Sequence, residues 1–146
     1  MATEVTSKAH ESGETKAKPA RRYVTATARI LMGLIFLVFG LNGFFMFLHP
    51  PAHSIPQGAV DFNLAMAKTG YMIKLVAATQ MLCGVLFLIN RFVPLALTII
   101  APVIVNIIFF HLFLDLKDIG PAMIVLALEI YLAWAYRDWF RPLLTA

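Results

Sequence analysis

The chain has 146 residues, of which 60% are hydrophobic, and its mean hydropathy is +0.80. Soluble domains contain roughly 45–50% apolar residues, so this composition excludes an ordinary soluble protein and predicts an integral membrane protein. The formal net charge is +4. A nucleic-acid-binding protein is not predicted, because the basic residues are split among several membrane edges and form no continuous stripe.

Residues 1–22 are polar and poor in large apolar groups, which predicts a disordered cytoplasmic tail. Residues 23–146 are predicted to form one transmembrane domain without an internal repeat. The apolar run after the tail is longer than the roughly 7–15 residues of a signal peptide, and no clear small-residue cleavage site follows it. We therefore expect this first span to stay in the membrane.

Four apolar stretches are long enough to cross a bilayer core about 30 Å thick, which takes about 20 helical residues. None shows the alternation of a barrel strand, and lipid does not satisfy exposed backbone groups, so helices are predicted. The predicted fold class is all-α, an integral membrane four-helix bundle. Its spans lie at about 28–48, 71–89, 93–114 and 122–139.

Orientation follows from the basic residues, which favour the cytoplasmic side of short loops. With the N-terminus inside, nine of the twelve Lys and Arg residues fall on the inner side. This asymmetry predicts that the N- and C-termini are both cytoplasmic and that the protein is a multi-pass protein of a bacterial-type inner membrane. The inner residues are Lys8, Lys16, Lys18, Arg21, Arg22, Arg29, Arg91, Arg137 and Arg141, and the outer ones are Lys68, Lys74 and Lys117.

The connections between spans are unequal in length. Asn90–Phe92 is predicted to be a tight inner turn, which makes spans two and three antiparallel neighbours, and Asp115–Gly120 is a short outer turn. Only the first outer loop, 49–70, has room for structure. A short helix is predicted there from Asp61, as its cap, to Lys68, with Gly70 as its stop.

Small and cyclic residues inside the spans predict how the helices pack. Gly33 and Gly40 are one heptad apart, so they nearly share a face and permit close helix approach. Pro102 is predicted to kink the third span. Arg29 is expected at the inner boundary, where its side chain reaches the headgroups. Cys83, the single cysteine, is interpreted as a small packing residue.

Polar residues within the spans form the candidate site. A charge at mid-bilayer costs on the order of 2.5–3.5 kcal/mol on insertion scales, so Glu129 is expected to face the bundle interior. Two interpretations stay open: a proton-accepting or ligand-anchoring acid, or a protonated acid bonded to Asn106 or Gln80. The midplane layer holds Gln80, Asn106 and Glu129, and the outer layer holds Asn42, Lys74 and His111.

The outer-layer residues also carry two interpretations each. His111 is either a group that titrates near neutrality or a cap on a loop carbonyl, and it lies about 140° from Asn106 on a helical wheel. Lys74 either extends outward to the headgroups or pairs with Glu129. No metal site is predicted, because no ligand spacing matches a known pattern. No flavin, haem or thiol motif appears, so no cofactor is predicted within the chain itself.

From about Arg29 to Leu144 the chain resembles the DoxX family of small four-span membrane proteins. The most specific matching segments combine polar residues with an apolar frame: VNIIFFHLFLD at Val105–Asp115 and LEIYLAWAYRDWFRPLL at Leu128–Leu144. Further matches are ARILMGLIFLVFGLNGFF at Ala28–Phe45, GYM at Gly70–Met72 and NRFVPLALTIIAPVIVN at Asn90–Asn106.

The resemblance implies a four-helix membrane bundle and a redox context. Some relatives are the small subunit of a thiosulfate:quinone oxidoreductase, others belong to membrane redox complexes, and distant ones act as assembly or trafficking factors. The chain departs from the family at two points. Gln80 stands four residues before Gly84, where relatives often carry a Glu, and Gly43 follows Asn42, where a Lys is expected.

The leading functional hypothesis is an accessory or quinone-contacting subunit of a membrane redox system, working with a redox partner protein. The Phe-rich outer ends of spans one and three are a candidate lining for a quinone pocket. One alternative is a small proton-coupled transporter, which requires a homo-oligomer because four spans are few for alternating access. The other is a non-catalytic membrane scaffold or assembly factor.

Overall fold

A computed structural model describes residues 2–48 and 55–144 of the chain, with side chains described for 20–48 and 55–140. Every regular element in this part is helical, so the predicted all-α class is confirmed for it. The helices are α1 (Ala2–Phe45), α2 (Gln57–Lys68), α3 (Met72–Leu88), α4 (Val93–Leu114), a single 3-10 turn (Leu116–Asp118), α5 (Ile119–Ala135) and α6 (Arg137–Leu144).

Three helical segments are long and apolar enough to cross a membrane: Ala20–Phe45, Val93–Leu114 and Leu116–Ala135. Helices α2 and α3 pass the same test together, but they are bent by 93° relative to each other. The described residues therefore hold three candidate membrane-spanning helices, or four when the bent pair counts as one. A multi-pass membrane protein is the class that this pattern supports.

The boundary predicted between the tail and the bundle falls inside a continuous helix. Helix α1 is 44 residues long and runs through residues 22 and 23 without a break. The division into a tail (1–22) and a transmembrane domain (23–146) accordingly stays a prediction.

Helix α2 is longer than predicted, and its start is different. It begins after Pro56, whose φ of −60° suits the entry to a helix. The prediction that Asp61 caps this helix is wrong, because Asp61 lies one turn inside it and accepts a hydrogen bond from Gln57 Nε2 at 2.9 Å. The predicted stop at Gly70 is confirmed, since this residue adopts a φ of +78°.

A threonine joins α2 to α3 at the bend. The Thr69 hydroxyl donates to the Met66 carbonyl oxygen at 2.6 Å and accepts from the Met72 backbone N–H at 3.0 Å. Those two groups belong to the last turn of α2 and the first turn of α3, where backbone groups lack helical partners. Thr69 thereby satisfies one group at each end of the bend.

Helices α1 and α3 pack backbone to backbone. A Cβ atom added at Gly84 would lie 2.7 Å from the Leu37 backbone nitrogen and 2.9 Å from the Gly33 carbonyl oxygen. At Gly40 it would lie 2.8 Å from the Met81 backbone nitrogen. The close approach predicted at Gly33 and Gly40 is confirmed, and Gly84 supplies the facing surface on α3.

The other helices complete the core on the far side of this glycine contact. The predicted tight turn between α3 and α4 is confirmed: Asn90 and Phe92 both adopt positive φ, 57° and 54°. Helix α4 runs unbroken through Pro102, which lies on an exposed face. The fully buried large side chains come from α1, α3, α4 and α5 and are Met32, Phe36, Phe87, Leu97, Ile100, Ile104 and Leu132.

Arg29 is a structural residue of this core. The expectation that it reaches the headgroups is wrong, because its side chain is only 8% exposed. Its Nη1 donates to the carbonyl oxygen of Phe87 and, at 3.3 Å, to that of Leu88. These carbonyls belong to the last turn of α3, which lacks helical donors and carries negative partial charge. The guanidinium therefore caps α3 from a neighbouring helix.

We expect the Arg29→Met variant to be less stable than the wild type. Loss of hydrogen bonds to a charged donor costs roughly 1.5–3 kcal/mol. The Leu88 carbonyl oxygen would lose its bond to Arg29, and the Phe87 carbonyl oxygen would keep only its backbone donor, the Asn90 N–H at 3.3 Å. Thermal unfolding in detergent, followed by circular dichroism, measures the effect. Arg91→Met is the matched control, because Arg91 is exposed. Equal midpoints for the two variants would contradict the capping role.

Candidate functional site

Glu129 lies on the face of α5 that packs into the bundle. Val125 and Leu132, one turn before and about one turn after it, are buried. The Glu129 side chain is half-buried, and its Oε2 atom is enclosed without a hydrogen-bond partner among the described residues. The predicted inward orientation is confirmed. The acid is therefore held inside the bundle with one oxygen that the surrounding protein does not satisfy.

A thiol also lies inside the bundle. Cys83 on α3 is fully buried. Gln80 is half-buried one turn earlier on α3. The buried position of Cys83 agrees with its interpretation as a packing residue.

Asn106 does not join Glu129. It lies on the exposed face of α4, whereas the buried residues of that helix are Val93, Ala96, Leu97, Ile100 and Ile104. Since Oε2 has no partner among the described residues, the interpretation of Glu129 as an acid bonded to Asn106 or Gln80 finds no support at that oxygen.

The three outer-layer residues serve separate local roles. Asn42 Oδ1 accepts the Leu48 backbone N–H at 2.7 Å, just beyond the end of α1. His111 Nδ1 lies 3.4 Å from the Asp115 carbonyl oxygen, which favours its interpretation as a carbonyl cap. Lys74 is exposed, which favours an outward path to the headgroups. These residues do not form one site with Glu129.

Asp115, predicted to begin an outer turn, is a second buried acid. It is 7% exposed, ends α4, and has an Oδ1 atom without a partner among the described residues. Its backbone carbonyl oxygen accepts from the Asp118 N–H at 3.2 Å. An acid that directly follows a long apolar run is the sequence signal that marks this position.

A cavity opens at the end of the bundle formed by residues 20–29, 89–92 and 135–140, which we call the basic end. Its volume is about 830 Å³. It lies between the start of the apolar part of α1, the α3–α4 turn and the junction of α5 with α6. The polar and aromatic residues that line it include Arg21, Arg22, Arg29, Asn90, Tyr136 and Trp139.

An apolar groove of about 600 Å³ adjoins this cavity. Three residues line both: Asn90, Tyr136 and Trp139. The rest of the groove follows the first two turns of α4 and is lined by Phe92, Val93, Pro94, Leu95 and Thr98. The basic end thus combines a cationic cavity, which we also call the recess, with an apolar groove beside it.

Aromatic residues fix the arginines around this recess. The Arg21 and Arg137 guanidinium groups each lie 4.9 Å from the centre of the Trp134 ring, within the range of a cation–π contact. The Thr25 hydroxyl and the Tyr131 hydroxyl are 3.0 Å apart, which joins α1 to α5 just inside the recess. In the sequence, Arg21 and Arg137 indicate only the orientation of the chain, so the recess is not predicted from it.

The Phe-rich ends of α1 and α4 are largely exposed. The Phe109 and Phe113 rings contact each other at a tilt, with centres 6.0 Å apart, yet Phe113 is 76% exposed. Phe44 and Phe45 are exposed as well. These rings line neither of the two cavities at the basic end, so neither cavity is the predicted Phe-lined quinone pocket.

Comparison with known proteins leaves the family open. No family model, curated protein or solved structure matches the chain. The resemblance to the DoxX family therefore stays a prediction from the motifs themselves.

Proposed function

We propose that the chain crosses a bacterial-type inner membrane four times, with both termini in the cytoplasm. Helix α3 has 17 residues, or about 25 Å at 1.5 Å per residue, and such a helix is at the short end of the range for a span. Its glycine contact with α1 is antiparallel, which supports two successive crossings of the same layer. The arginines of the basic end support a cytoplasmic position for that end.

Single cysteines in a Cys83→Ala background test this topology. We expect a membrane-impermeant maleimide to label Lys117→Cys in intact cells. Ser12→Cys and Arg91→Cys are expected to react only after permeabilisation, because we place these positions in the cytoplasm. Labelling of Arg91→Cys in intact cells would contradict a membrane crossing by α3, and labelling of Ser12→Cys would contradict the cytoplasmic N-terminus.

We further propose that the protein is an accessory subunit of a membrane redox system and contacts quinone through Glu129. The supporting observation is the enclosed, unpartnered Oε2 atom. An unsatisfied buried polar group costs free energy, and a protonated carboxyl that donates to a quinone carbonyl oxygen recovers that cost. The electrons would be carried by a partner protein. In this function the chain binds and orients the quinone head and does no redox chemistry of its own.

Quinone titration of the purified protein tests this function. Trp134 lies five residues after Glu129 on α5, or about 7.5 Å along the helix axis, so a bound quinone is expected to quench its fluorescence. We expect saturable quenching. Quenching that rises linearly with quinone concentration, as for a quinone dissolved in the detergent, would remove quinone from the proposal.

The exposed position of Asn106 favours a second candidate function, the oligomeric proton-coupled transporter. An amide that faces hydrocarbon is satisfied when a second helix supplies a partner, and a homo-oligomer through α4 would do so. Cross-linking in native membranes is expected to trap a dimer that Asn106→Leu weakens. A wild-type monomer under these conditions would contradict this candidate and leave the redox accessory role or a scaffold role.

A further inference from the structure

We propose that the basic end is a binding site for an anionic phospholipid, with the phosphate in the cationic cavity and an acyl chain in the apolar groove. The proposal rests on the direct connection between the cationic cavity and the apolar groove. One is lined by three arginines, and the other is lined by apolar side chains of α4. Asn90, Tyr136 and Trp139 belong to both linings, so a single molecule can occupy the two.

Charge selects the headgroup. Among the residues that line the cavity there are three cations and no acid. Arg29 is committed to the carbonyls of α3, which leaves Arg21 and Arg22 for the ligand. The Arg21 guanidinium lies over the Trp134 ring at 4.9 Å from its centre. This contact uses none of its N–H groups as hydrogen-bond donors to an acceptor atom, and guanidinium N–H groups donate well to phosphate oxygens.

The groove selects a ligand with a hydrocarbon chain. Its lining by Phe92, Pro94 and Leu95 offers apolar contact along the first turns of α4. A phosphate without a chain would leave this channel empty, and a chain without a phosphate would leave two arginines unpaired. Basic recesses between helices at the cytoplasmic face are known to suit anionic headgroups. This site is separate from Glu129 and does not depend on the quinone proposal.

Bromine on a lipid acyl chain quenches nearby tryptophan, and Trp139 lines both recesses, so the full chain in lipid nanodiscs reports occupancy directly. The probes are phosphatidylglycerol and phosphatidylcholine with the same brominated chains. We expect half-maximal quenching at a mole fraction about fivefold or more lower for the anionic lipid, as one Lys or Arg contact contributes. Equal quenching by the two lipids would overturn the proposal.

Two variants and one control locate the lipid site. Arg22→Gln is expected to weaken phosphatidylglycerol quenching about fivefold, whereas the matched control Arg91→Gln, an exposed arginine outside the cavity lining, is expected to change it little. Equal losses would mean a general surface potential and would overturn the site. Thr98→Phe, which fills the groove, is expected to weaken binding of the lipid as well.

Soluble glycerol phosphate separates the lipid from its headgroup. We expect it to compete poorly with phosphatidylglycerol, because it cannot use the groove. Competition at equal concentration, with Thr98→Phe unaffected, would mean that the site takes a free phosphate ester and would overturn the assignment to a lipid.

Discussion

The Gly84→Leu variant is expected to fail to form the α1–α3 contact and to lose the monodisperse folded state. Even the first side-chain atom would lie 2.7 Å from the Leu37 backbone nitrogen and 2.9 Å from the Gly33 carbonyl oxygen. Backbone atoms cannot rotate away as a side chain does, so the two helices must separate. Overpacking costs typically 1–3 kcal/mol and sometimes more, and we place this variant at about 3 kcal/mol or above.

Size-exclusion chromatography and thermal unfolding in detergent measure this outcome. Ala78→Leu is the matched control, because Ala78 lies on an exposed face of the same helix. Alanine and leucine are both good helix formers, so its midpoint is expected to equal that of the wild type. A Gly84→Leu variant with a wild-type midpoint would show that α1 and α3 are not in close contact.

The glycines also show what the sequence can and cannot predict about this fold. The heptad spacing of Gly33 and Gly40 indicates a close approach on one face of α1. It does not identify the partner helix, because Gly84 lies in a span whose apolar residues surround it on all sides. Which two faces meet depends on the rotation of each helix about its own axis, and that rotation is settled by packing.

The unknown rotation of each helix also explains why Asn106 was wrongly predicted to lie near Glu129. Hydropathy fixes how deep a residue lies along a span, and Asn106 and Glu129 were grouped on depth alone. Helix α4 is apolar around its whole circumference, so its sequence contains no amphipathic signal for the buried side. The Asn106 amide faces outward, and the acid faces inward.

The recess at the basic end was missed for a different reason. Its residues come from three separate parts of the chain. In the sequence, Arg21 indicates orientation, Asn90 belongs to a tight turn and Trp139 ends the fourth span. Arg21, Asn90 and Trp139 form one site only because α1, the α3–α4 turn and α6 converge around the same cavity. Basic residues that indicate orientation can be predicted as ligand contacts only when the fold shows that they surround one cavity.

Replacement of Glu129 by leucine is expected to stabilise the protein and to abolish saturable quinone quenching. Leucine has nearly the same volume and carries no polar atom, so it removes the enclosed oxygen that lacks a partner among the described residues. Leaving a buried polar group unsatisfied costs about 1–3 kcal/mol, which is the gain expected in the variant. Thermal unfolding and the quinone titration measure the two effects on the same sample.

Glu129→Gln tests whether quinone binding needs a hydrogen-bond donor at this position or only a buried side chain of this shape. The amide keeps the shape of the acid and retains N–H donors, so we expect it to hold part of the quinone affinity that the leucine variant loses. Cys83→Ala is the control, since it changes another buried side chain of the bundle without removing the carboxyl group. It is expected to preserve saturable quenching.

The pair of outcomes for Glu129→Leu distinguishes the three functions. A scaffold in which the acid only orders the bundle predicts lower stability for this variant and no ligand to lose. A proton-coupled transporter predicts lost transport with the oligomer intact, because Asn106 and not Glu129 would hold the copies together. Greater stability combined with lost quinone binding is expected only when the protein leaves the Glu129 carboxyl without a partner so that a ligand can bind it. Binding sites commonly lower stability in this way.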